Sequence, residues 1–62
     1  MNYSKWLNMI RLEKATELLA DQKLSLTEIA MLSGFQSISS FNRVFHGEKG
    51  MAPGEYRALL DA

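Results

Sequence analysis

A chain of 62 residues makes one small domain that buries only about 60% of its unfolded surface, with no cysteine to staple it and no His, Asp and Glu cluster to hold a structural metal. Seven basic residues (Lys5, Arg11, Lys14, Lys23, Arg43, Lys49, Arg57) balance seven acidic ones, and zero net charge argues against strong non-specific nucleic-acid binding, because phosphate neutralisation supplies most of that affinity. At 47% apolar the sequence is too hydrophobic for a disordered chain, no apolar run approaches the ~20 residues of a bilayer span, and no signal-peptide layout opens it, so the expected home is the cytoplasm.

Three breaks, at residues 21–25, 34–36 and 50–53, separate stretches that read as helices, with no strand-like alternation to compete. The expected fold is therefore all-α, stabilised by apolar packing between helices. The first helix should run over about residues 3–20, with Asn2 as N-cap. At ~100° per residue, Leu12, Ala15, Leu18 and Leu19 fall on one side, while Tyr3, Trp6, Leu7, Met9 and Ile10 fall on nearly the opposite side. The apolar stripe thus switches faces near Arg11. A helix serving one core keeps one stripe, so this helix either bridges two cores or lies buried in something larger.

Ser25-Leu26-Thr27-Glu28 is a capping box that opens a second helix, which stops at Gly34. A third helix starts near Ser37 and carries Phe41, Val44 and Phe45 inward; Gly47 weakens its last turn and Gly50 ends it. Pro53 suits the first position of a fourth helix, over about residues 53–60. A faint echo also links the two ends. Met1 to Trp6 and Met51 to Tyr56 each place Met, four residues and then an aromatic at a helix start, fifty residues apart.

Residues 26–47 have the layout of a helix-turn-helix. Ala30 is small where the two helices must approach, Gly34 supplies the turn and Phe35 plugs the angle between them. Phe41 and Phe45 point one way, leaving Ile38, Ser39, Asn42, Arg43 and His46 on the outer side. Such a helix can enter a major groove and offer side chains to base edges.

The pattern Arg11-Leu12-x-x-Ala15-x-x-Leu18-Leu19, Ile29-Ala30-x-x-x-Gly34-Phe35, Ser39-x-Phe41-x-Arg43-x-Phe45 and Gly50-x-x-Pro53-x-x-Tyr56-Arg57 resembles the second half of an AraC/XylS-type DNA-binding domain over nearly the whole chain. The resemblance implies a bacterial transcription regulator in which two helix-turn-helix units share a long linker helix. Residues 3–20 would be that linker, and a first unit would precede Met1. It further implies that Ser37 caps a recognition helix over residues 37–47, that Ile38, Ser39, Asn42 and Arg43 face bases, and that Ser40 lies near the backbone. Arg43 would pair bidentately with guanine; its alternative is an ion pair with Glu48 or Glu55. For Arg11 and Arg57 the expectation is interhelical ion pairs or phosphate-side contacts. Three positions depart from the family pattern: His46 and Gly47 stand where basic residues are usual, Ser40 where Tyr or His is frequent, and Ala52 where Ser or Thr caps the helix before Pro53.

Other chemistries find little here, and the expectation is neither an enzyme nor a cofactor protein. His46 has no oriented Ser, Cys or Asp partner, the serines are explained by capping and groove positions, and no glycine motif cradles a phosphate. Met9, Met31 and Met51 read as core filler. Tyr3 and Trp6 lack the basic flank of a membrane anchor. The rival to DNA binding is an interaction module, in which Tyr3, Trp6, Leu7, Met9 and Ile10 bind another protein or a second copy as a weak homodimer.

Overall fold

Side-chain caps set where the first three helices begin. In the computed structural model, which describes residues 2–61, the helices are α1 (Tyr3–Leu19), α2 (Leu26–Leu32), α3 (Ile38–Lys49) and α4 (Pro53–Leu60). Asn2 Oδ1 accepts from the Lys5 N–H at 2.8 Å and opens α1. Ser25 and Glu28 cap each other reciprocally: Ser25 Oγ accepts from the Glu28 N–H at 3.1 Å, and the Ser25 N–H donates to Glu28 Oε1 at 3.0 Å. The Ser25 backbone N–H, and then its side chain, hold the Glu28 carboxyl below the usual glutamate range. Ser37 Oγ accepts from the Ser40 N–H at 3.1 Å and starts α3. Ala52 has no side-chain acceptor to offer α4, although Glu55 Oε1 still takes the Ala52 N–H at 3.2 Å.

Two glycines close helices in the left-handed conformation that a Cβ disfavours. Gly34 (φ 99°) follows α2, and Gly50 (φ 75°) ends α3 with its N–H on the His46 carbonyl at 2.9 Å. The helices then pack in chain order, α1 on α2, α2 on α3 and α3 on α4.

Leu12, Ala15, Leu19, Ile29, Ala30, Phe35, Phe41 and Phe45 form one buried core. An aromatic series runs through it: Phe35 to Phe41 at 5.3 Å between centroids, Phe41 to Phe45 at 5.7 Å, and Phe45 to Tyr56 at 5.5 Å. Edge-on and tilted geometries of this kind add to simple burial. The series joins the α2–α3 turn, two successive turns of α3 and α4.

α1 is 17 residues, about 25 Å at 1.5 Å per residue, in a molecule 35 × 21 × 18 Å. Its core-facing half carries Leu12, Ala15 and Leu19. Over its whole length α1 has almost no net amphipathic direction, whereas α3 is strongly one-sided. Two stripes on opposite faces cancel, which is the expected signature of the switch near Arg11. Tyr3, Trp6, Met9 and Ile10 are 72%, 50%, 40% and 43% exposed. Leu7 is instead half-buried. Met1, one end of the echo with Met51, lies outside the described residues.

The methionines correct an expectation. Met31 is half exposed and Met9 is exposed too, so neither fills the core; only Met51 is partly buried. On the seven-residue α2, Ile29 and Ala30 already occupy the inward arc, and the next residue lies about 100° beyond Ala30, roughly 150° from the centre of that arc.

Candidate nucleic-acid interface

α3 is built by its own sequence to stand with one side in the core and the other in solvent. Phe41 and Phe45, four apart, are fully buried. Ser39, Asn42, Arg43 and His46 are exposed on the remaining side. Those four line one open groove together with Leu26 of α2 and with Ala52, Pro53, Gly54 and Glu55 at the start of α4. The sequence pattern had marked the α3 members but not the second wall. Gly54 is the signal that was there to be read: a Cβ at this position would lie 3.6 Å from Leu26 Cδ1, so the starts of α2 and α4 approach closely.

The other three candidate residues sit differently. Ser37 is half-buried and spends its hydroxyl on the helix cap. Ser40 is half-buried as well, and its Oγ accepts from Ser37 Oγ at 3.2 Å. Ile38 is a correction: it is half-buried and packs against the core rather than standing free on the outer side. With Phe41 and Phe45 at i+3 and i+7, it belongs to the inward stripe of a helix.

The arginines divide by role. Arg43 is exposed on the groove, while the Glu55 carboxylate nearby is engaged with the Ala52 N–H. Arg57 reaches back across the fold, donating from Nε to the Leu19 carbonyl at 3.3 Å and from Nη2 to the Asp21 carbonyl at 3.2 Å. It satisfies carbonyl oxygens at the α1 C-terminus, where a cation also suits the helix dipole, so its partners are backbone rather than carboxylates. Arg11 is half-buried with its guanidinium 6.0 Å from the Phe35 ring centroid. Among the described residues no three His, Asp or Glu side chains are grouped to hold a metal, and no helix is long and apolar enough to cross a membrane.

A short helix, a tight glycine turn and a second helix with one buried and one polar face define a helix-turn-helix. A family described as a helix-turn-helix domain matches residues 1–59. The HTH-type transcriptional regulator YfiF of Bacillus subtilis is 41% identical over 59 residues, 95% of this chain and 18% of that protein. The transcriptional activator NphR of a Rhodococcus species is 38% identical over 52 residues, 84% of this chain and 16% of that one. The crystal structure of the transcriptional regulator CdpR from Pseudomonas aeruginosa superposes with a TM-score of 0.86 at 33% identity, covering 94% of this chain and 18% of that one. The chain belongs to the AraC-type helix-turn-helix family of transcription regulators. It spans less than a fifth of the length of these relatives.

Proposed function

We propose that this chain reads duplex DNA sequence-specifically, as one helix-turn-helix unit of a larger transcription regulator, by laying α3 in the major groove. The observation that carries the reading is the single exposed side of α3, where Ser39, Asn42, Arg43 and His46 stand clear of a helix anchored by Phe41 and Phe45. Arg43 supplies a planar fork for guanine O6 and N7, Asn42 a bidentate donor–acceptor pair for adenine, and Ser39 a hydroxyl for either. Ser37 and Ser40 fix the start of the helix beside the backbone, and Ile38 contributes an apolar edge from its half-buried position. With zero net charge, little affinity comes from bulk electrostatics, so base contacts and the fit of the groove must carry discrimination. A reader of chromosomal DNA works in the bacterial cytoplasm.

The apolar face of α1 has a second role in this reading: it seats a preceding helix-turn-helix unit, with α1 as the linker between the two. Four exposed large apolar side chains on one helix face are what such a seat requires. The rival, a module whose main task is protein association through this face, leaves the polar side of α3 without a purpose.

The test is selection of binding sites from a random duplex pool by the regulator expressed from its gene, with and without Arg43→Ala. The substitution should weaken binding to the selected site by ~1–3 kcal/mol and relax preference at one base pair. An unchanged preference would return Arg43 to the protein surface, and failure to select any sequence would end the reading altogether.

A further inference from the structure

We infer that Arg11, on α1, is a positioning residue for the reading helix: it clamps the Gly34-Phe35 turn and so sets the angle at which α3 is presented. The inference rests on the DNA-reading role proposed for α3, and its test separates the two. Arg11 lies outside the groove formed by Ser39, Asn42, Arg43 and His46. Its guanidinium carbon stands 6.0 Å from the Phe35 ring centroid, at the reach of a cation–π contact. Its stem crosses Gly34: a Cβ there would lie 3.3 Å from Arg11 Nε, 3.6 Å from Cγ and 3.7 Å from Cδ. One half-buried side chain therefore covers both residues that carry the chain from α2 toward α3.

Besides Arg11, the turn is held by its own backbone bonds and by burial of the Phe35 ring in the core. Its backbone makes two short-range bonds, Gly34 N–H to the Met31 carbonyl at 3.1 Å and Phe35 N–H to the Ala30 carbonyl at 3.0 Å. Phe35 is the link onward: its ring lies 5.3 Å from Phe41, which anchors α3. Contact thus runs from Arg11 through Phe35 to Phe41. Arg11 also stands where the α1 stripe changes faces, next in sequence to exposed Ile10.

Geometry says why this should be felt at DNA. From Ser39 to His46 is about 10 Å of helix, and a tilt of roughly 10° displaces one end against the other by about 2 Å. Bidentate contacts do not survive such a shift, because hydrogen bonds weaken steeply outside a narrow range of distance and angle. Sequence-independent attraction to phosphates would survive it. Lysine cannot replace the clamp fully, since its ammonium has no plane to lay against the ring.

The experiment uses the regulator expressed from its gene, a duplex selected from a random pool by the unmodified protein, and a scrambled duplex of equal length. Binding of Arg11→Gln and Arg11→Lys is titrated against salt, at a temperature where circular dichroism shows the parent's helicity. The expected result for Arg11→Gln is about tenfold weaker binding to the selected duplex, with scrambled-duplex affinity and salt slope unchanged. Arg11→Lys should lose part of that discrimination and decides the matter alone if the Gln variant does not fold. A salt slope reduced by about one in the Gln variant would make Arg11 a phosphate contact and overturn the inference. An unchanged ratio of selected to scrambled binding, in the Gln variant or in Lys standing alone, would overturn it as well. Should the unmodified protein select no sequence, the DNA-reading role itself falls, and this inference with it.

Discussion

Truncating Phe41 to alanine should unfold this chain. The ring is fully buried and lies between Phe35 at 5.3 Å and Phe45 at 5.7 Å, so its removal empties the middle of the aromatic series. Loss of a buried Phe side chain costs about 3–5 kcal/mol in transfer and cavity terms. The two aromatic pairings are broken at the same time, each worth roughly 0.5–1.5 kcal/mol beyond area, part of which the first figure already contains. Against this, 62 residues at about 0.05–0.15 kcal/mol each give a total stability of roughly 3–9 kcal/mol. A core of eight buried residues places the chain toward the low end, where small single-core domains fall at about 3–5 kcal/mol. At this size each kcal/mol shifts the melting midpoint by about 4–8 °C, so the variant should have no folded baseline near room temperature. Circular dichroism at 222 nm through a thermal ramp, with a urea titration as cross-check, measures it directly. Full helicity and a midpoint within a few degrees of the parent would refute the core assignment, and with it the reason for placing Asn42 and Arg43 on the outside of α3.

Ala52→Ser should raise stability by about 0.5–2 kcal/mol, because Ala52 already has N-cap backbone geometry (φ −72°, ψ 154°) and lacks only the acceptor; an unchanged urea midpoint would contradict this. Gly47→Lys has open space for its Cβ and should stabilise α3 by about 0.5–0.8 kcal/mol, somewhat less than the gain from Gly to Ala. In the whole regulator it should also steepen the salt dependence of DNA binding by about one, and a flat response would place the end of α3 away from phosphates. Glu28 has a depressed carboxyl pKa in the folded chain, so the stability it contributes is fully present above the ordinary glutamate range and disappears as pH falls through the lowered folded value. Melting midpoints of Glu28→Gln should therefore fall less steeply on acidification than those of the parent, and parallel curves would remove the capping box from the account. In isolation the chain should self-associate weakly through Tyr3, Trp6, Met9 and Ile10, since each apolar side chain withdrawn from water is worth up to ~1.5–3 kcal/mol against the entropy of association. Trp6→Gln with Ile10→Gln should give a folded monomer, and sedimentation of the unmodified chain as a clean monomer at high concentration would exclude the contact.

Much of this protein is written in local chemistry. The caps at Asn2, Ser25 and Ser37, the left-handed glycines at 34 and 50 and the proline at 53 each act within a few residues, so the four helices are legible in order from the sequence. The 3.6-residue period did the same for the inward stripe of α3 and for the change of face in α1. The same period also sets Ile38 inward with Phe41 and Phe45 and turns Met31 away from Ile29 and Ala30, so those two expectations mistook a direction the sequence carries, whereas the exposure of Met9 depends on which neighbours reach that part of α1. Arg57 shows the limit most clearly: its acceptors, Leu19 and Asp21, lie 38 and 36 residues away along the chain. No local rule predicts which carbonyls will be left open beneath a given guanidinium, nor that Arg11 will come to rest across Gly34 and Phe35. Those contacts exist only once α1 has docked on the turn and α4 has closed behind it, because they depend on distances that packing creates. The wall of the groove opposite Arg43 is of the same kind, assembled from Leu26 and residues 52–55 by the close approach that Gly54 permits.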